Sequence, residues 1–93
     1  MKTIRLSTRH VHADLMTGDV FDCLNQLDDR SVQTIVTSPP YWGLRDYKCK
    51  GQIGLESTPQ EYVKKLVAVF RRLRRVLKDD GTVWLNLGDC FAS

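Results

Sequence analysis

No run of about eighteen apolar residues occurs in the 93-residue chain, so nothing in it reads as a membrane-spanning helix. The opening Met1-Lys2-Thr3-Ile4-Arg5 has no apolar signal core, and a cytoplasmic location is expected. The three cysteines, Cys23, Cys49 and Cys90, are widely spaced and form no Cys-x-x-Cys pair, which argues against a disulfide framework or a zinc site. The only histidines, His10 and His12, would share a face on a strand but have no third ligand nearby, so no metal is expected. None of the six glycines forms Gly-x-Gly, which disfavours a nicotinamide or nucleotide enzyme of the glycine-fingerprint type. Acidic residues are absent from positions 64 to 78, where Lys64, Lys65, Arg71, Arg72, Arg74, Arg75 and Lys78 fall. That basic stretch, in a chain of net charge +3, is compatible with DNA and equally with a solvated helix face.

What is present describes one small folded domain. Hydrophobic residues make up 42% of the chain and charged residues 27%, with no low-complexity tract, internal repeat or domain boundary. The first twelve residues show no clear period and read as an arm or an edge strand. Ala13 to Thr17 reads as a short strand broken by Gly18, after which Asp19 caps a helix running to about Leu27. Gln33 to Thr37, β-branched at four successive positions, reads as a buried strand. Pro39 to Ser57 has no steady period and is too long to be mere connection. Thr58 and Glu61 form a capping box with Pro59 at the first helical position. An apolar stripe of Tyr62, Leu66, Val69, Phe70, Leu73, Val76 and Leu77 follows, with Lys64, Arg71, Arg72, Arg75 and Lys78 opposite. Gly81 is placed to end that helix in a left-handed conformation, and Thr82 to Leu87 reads as a third strand. The expected fold class is α/β: a partial Rossmann-like parallel sheet of about three strands with flanking helices. Its strand-end loops would bring Asp19, Ser38 and Asp89 to one edge.

The segment Thr37-Ser38-Pro39-Pro40-Tyr41-Trp42 lies where the second strand should end. Two consecutive prolines cannot continue a ladder or enter a helix interior, so the turn is stiff and extended. A small hydroxyl, carbonyls without competing amides and an aromatic face suit one task, gripping a flat hydrogen-bonding group such as a nucleobase amine. An exocyclic amine is a poor nucleophile because its lone pair is conjugated into the ring. If the Ser38 hydroxyl and the Pro39 carbonyl accept its two hydrogens, the nitrogen rehybridises and can attack an electrophilic carbon directly. Tyr41, and in part Trp42, would stack on a base flipped out of the duplex, with core packing as the alternative for both. Arg45 and Lys48 in the long loop are placed to reach DNA phosphates, although exposed basic loop residues need no such role.

This segment resembles the catalytic motif of the amino-methylating DNA methyltransferases, a Ser, Asp or Asn followed by Pro-Pro and an aromatic residue. The resemblance extends to Met16-Thr17-Gly18-Asp19-Val20-Phe21-Asp22-Cys23-Leu24 upstream. Downstream it includes Gly51-Gln52-Ile53-Gly54-Leu55-Glu56 and Asp80-Gly81-Thr82-Val83-Trp84-Leu85-Asn86-Leu87-Gly88-Asp89, covering residues 14 to 93. It implies catalytic roles for Ser38, Pro39, Pro40 and Tyr41, S-adenosylmethionine as methyl donor, DNA as partner and a bacterial or phage-encoded enzyme. By position it also gives Asp19 a contact to the adenine end of that cofactor, beside its plainer role as helix cap. Serine at the first motif position favours N4 of cytosine over N6 of adenine, and the absence of Cys from 24 to 48 speaks against methylation at carbon 5 of cytosine. The family's aromatic-Gly-x-Gly cofactor loop and its target-recognition region have no counterpart in the chain. The chain is therefore expected to hold an incomplete cofactor site and to be inactive alone. It would self-associate or be completed by another chain, the alternative being a noncatalytic DNA-binding or partner-binding module.

Overall fold

The capping signals around position 58 are realised in the computed structural model, which describes residues 1–43, 48 and 50–88. Thr58 is extended, its hydroxyl accepts the Glu61 N–H at 3.2 Å, and helix α2 runs Pro59–Val76. Every member of the expected apolar stripe is buried or half-buried, and Val76, at 1% exposure, is the most enclosed. Asp19 caps helix α1 (Val20–Asn25) by accepting the Phe21 N–H at 2.9 Å. Leu24 of α1 packs with Val69 and Val76 of α2 as the core, flanked by Phe21, Leu27, Leu73, Ile53 and Val32.

The strand at Val32–Thr37, labelled β3, pairs in parallel with β4 (Leu77–Leu85), joined by α2 as crossover. After the pair Val32↔Leu77 the register slips, and regular pairing resumes at Thr34↔Thr82, so residues 78–81 bulge out of the ladder. Gly81 lies in this bulge and not at a left-handed helix end, correcting the expectation drawn from the sequence. The helix stops earlier, at an extended Leu77 whose N–H returns to the Leu73 carbonyl. Glycine is required at 81 by proximity, since a Cβ there would lie 2.7 Å from Leu77 Cδ1 and 2.9 Å from the Gln33 carbonyl.

A second correction concerns the sheet. The strand expected at 13–17 does not join β3 and β4, and the parallel sheet among the described residues has two strands rather than three. Instead β2 (His12–Thr17) forms an antiparallel hairpin with β1 (Lys2–Ser7), in register from Lys2↔Thr17 to Ser7↔His12. The physical reason is local closure. Thr8 N–H donates to the Val11 carbonyl at 2.7 Å and the Thr8 hydroxyl accepts the Val11 N–H at 3.0 Å, so four residues close the turn at little entropic cost. Arg5 and Asp14 face each other across the hairpin with two bonds of 2.8 and 3.0 Å, which hold the Asp14 carboxyl below the usual carboxylate range.

The candidate active-site cavity

At the C-terminal end of β3 the chain enters the Ser38-Pro39-Pro40 turn, which lies against the turn between β2 and α1. Together they line a cavity of about 770 Å³. Thr37 to Pro40 form one wall, Gly18, Asp19 and Val20 a second, and residues 50–53 a third, while Leu66, Val69, Phe70 and Leu73 of α2 make its apolar side. The two polar groups that strand-end topology brings to one edge, Asp19 and Ser38, thus share one cavity. Asp89, Arg45, Cys49 and Cys90 lie outside the described residues, and Lys48 does not line the cavity.

Ser38 is exposed and its hydroxyl has no partner among the described residues, whereas Pro39 behind it is buried. One Asp19 oxygen caps α1, and the other has no partner among the described residues. Tyr41 does not line the cavity. It is half-buried, and its hydroxyl accepts the Gly88 N–H at 2.6 Å and ties the turn to the segment after β4. Trp42 is 44% exposed and its indole N–H donates to the Glu56 carbonyl at 2.7 Å.

Three residues absent from the candidates read out of the sequence organise this region. The Tyr62 hydroxyl donates to the Pro40 carbonyl at 2.5 Å. Desolvation first, and then the nearby Glu56 carboxylate, push the Tyr62 phenol up from its ordinary value. The Glu56 side chain, 1% exposed, accepts the Gly54 N–H at 2.8 Å and faces Lys65 Nζ at 3.3 Å. Burial alone would raise the Glu56 pKa. The N–H groups of Glu56 and Gly54 and the Lys65 ammonium outweigh it and hold the carboxyl below its ordinary range. A signal for Tyr62 was present in the sequence, because a tyrosine on an apolar helix stripe needs a partner for its hydroxyl. Glu56 carried no such periodic signal.

The basic face of α2 is only partly solvated. Arg75 donates to Asp29 at 2.6 Å and to the Leu24 and Leu27 carbonyls at 2.8 and 2.9 Å. Arg72 donates to Asn25 at 2.8 Å and lies 5.6 Å from the centre of the Phe21 ring. No cluster of metal-ligating side chains occurs among the described residues.

The parallel β-α-β unit sets its polar strand-end loops at a cavity, the place where open α/β sheets bind ligands. Comparison with known proteins then identifies the chain: the family model for N6/N4 DNA methylases matches residues 32–93, and the chain belongs to this family of amino-methylating DNA methyltransferases. It is 53% identical over 81 residues to the type II methyltransferase M.MwoI of Methanothermobacter wolfeii, covering 87% of this chain and 12% of that protein. It is 53% identical over 79 residues to M.XycI of Xanthomonas campestris pv. cyanopsidis, covering 85% of this chain and 26% of the relative. To M.SmaI of Serratia marcescens it is 52% identical over 79 residues, again 85% of this chain and 27% of the relative. The chain therefore spans about a quarter or less of the length of these relatives. No solved structure matches it.

Proposed function

We propose that the chain supplies the amine-gripping part of a site-specific DNA methyltransferase that uses S-adenosylmethionine, with N4 of cytosine favoured over N6 of adenine. The observation that carries this reading is the cavity shared by Ser38, Pro39 and Asp19, with the Ser38 hydroxyl unpartnered among the described residues. In this reading the Ser38 hydroxyl and the Pro39 carbonyl accept the two hydrogens of the target amine and hold its lone pair out of the ring. Tyr62 already donates to the Pro40 carbonyl, so of the two proline carbonyls Pro39 is the one without a partner among the described residues. When bound, S-adenosylmethionine supplies an electrophilic methyl group. The cavity fits one side of that group, because the second Asp19 oxygen is available to accept from an exocyclic amine and α2 offers an apolar wall. Tyr41 would reach a flipped base only from the rim of the turn, its hydroxyl being held by Gly88.

The chain alone is expected to be silent, the rest of the cofactor site and the DNA-reading region coming from a further chain segment. The experiment is a graft, in which this chain replaces the 79 residues it matches in M.XycI. Transfer of labelled methyl groups to unmethylated plasmid DNA is expected from the graft, and Ser38→Ala should lower it at least ~100-fold. Equal transfer by Ser38→Ala would overturn the reading. Nucleosides released from the product identify the base, N6-methyladenine counting against the cytosine preference. A noncatalytic binding module driven by the α2 basic face would have to draw on Arg72 and Arg75 while they bond Asn25 and Asp29.

A further inference from the structure

The buried Glu56 carboxylate takes no part in the mechanism above, and its bonds explain why it is there. None of them goes to the core cluster around Val69 and Val76. Its side chain accepts the Gly54 N–H and faces Lys65, while its backbone carbonyl accepts the Trp42 indole N–H. Gly54 in turn accepts the Gly43 N–H at 2.5 Å. Gly54 has φ of +115°, and a Cβ at that position would stand 2.8 Å from the Tyr41 carbonyl. The turn at 54–56 is thus pressed against residues 41–43 and fastened there at both ends. Tyr62, one helical turn into α2, holds the Pro40 carbonyl.

We propose that Glu56 and Tyr62 are positioning residues that set the direction of the Pro39 carbonyl and the Ser38 hydroxyl into the cavity. The inference rests on the reading of Ser38 and Pro39 given under Proposed function. A di-proline turn has no N–H groups of its own with which to fix itself to a scaffold, so its orientation must be imposed by donors from elsewhere. Tyr62 supplies one to the turn itself. The buried Glu56 gives the second strap its shape, holding Gly54 where it can receive Gly43 and its own carbonyl where it can receive Trp42. Lys65 and Tyr62 are the titratable groups facing this carboxylate, and only Lys65 supplies a positive charge. A fault in either strap would misdirect the acceptors without emptying the cavity.

The test uses the graft in M.XycI with Tyr62→Phe, Glu56→Ala and Glu56→Gln. Expected is a fall in kcat of about 100-fold for Tyr62→Phe and Glu56→Ala, with KM for DNA and for S-adenosylmethionine changed less than twofold. Glu56→Gln, which keeps an acceptor for Gly54, should recover about tenfold of the loss. Unchanged kcat in Tyr62→Phe and Glu56→Ala, while Ser38→Ala is dead, would overturn the positioning role and leave the proposed function standing. Unimpaired transfer by Ser38→Ala would instead remove the function itself. Should the graft not turn over, nuclear magnetic resonance of the 93-residue chain decides. In Tyr62→Phe the carbonyl resonance of Pro39 is expected to move together with that of Pro40, and a Pro39 resonance that stays in place sinks the proposal.

Discussion

Asp19 shows at the scale of one residue how a structural and a chemical role can be separated. Its cap on α1 uses one carboxylate oxygen, and serine makes the same cap nearly as well. Asp19→Ser should therefore leave the unfolding free energy of the chain within about 0.5 kcal/mol while weakening S-adenosylmethionine binding in the graft, read by calorimetric titration. Loss of stability without loss of affinity would reduce Asp19 to a cap. Glu56 gives a pH dependence of known sign. Its pKa is depressed in the folded chain, so its contribution to stability is fully present above the ordinary carboxylate value. That contribution is lost as pH falls through the lower folded value. Urea midpoints of the chain should drop below about pH 4.3, and Glu56→Gln should flatten that limb. Among single residues, the caps and the Ser38 turn were legible in the sequence because their chemistry is local. Glu56, Tyr62 and Arg75 were less so, because Trp42, Pro40 and Leu24, which they hold, stand 14, 22 and 51 positions away and their identity is not written in any local pattern.

Helix α1, with six residues, is too short to hold itself in water. Its stability comes from α2, through Leu24 against Val69 and Val76 and through Arg75 on the carbonyls of Leu24 and Leu27. Arg75→Ala leaves those carbonyls without this partner and is expected to cost about 1–3 kcal/mol in urea unfolding, far more than loss of a solvated surface charge. In β4 the bulge at 78–81 closes over Gly81, and Gly81→Ala should cost about 1–3 kcal/mol as Leu77 and the Gln33 carbonyl are pushed aside. Alanine without penalty would show that the bulge adapts freely. The start of α2 was readable from three agreeing signals. Its end was misread because the glycine that looks like a helix stop is needed four residues later for close packing.

For the molecule as a whole, the β3–β4 pair and the segment after it leave apolar side chains uncovered among the described residues: Val36 is 79% exposed, Trp84 64% and Leu87 57%. The hairpin adds Ile4, Leu6 and Leu15, each about half exposed. Surfaces of this kind drive association, and sedimentation of the purified chain is expected to show species larger than a monomer, a monodisperse monomer counting against this. The pairing of the strand at 13–17 was not recoverable from the sequence because strand order is a long-range property. The pattern at 13–17 says strand, and only the closure at Thr8 to Val11 says with whom it pairs. The crossover unit is bolted at both ends: Tyr62 near the start of α2 holds the turn that follows β3. At its far end, the carbonyls of Arg75 and Val76 receive the N–H groups of Arg30 and Ser31 just before β3. Helix and strand are thereby phased to one another like two meshed racks. A residue inserted midway along α2 would turn its ends about 100° out of step and slide them ~1.5 Å, so that the contacts at one end could be kept only by breaking those at the other.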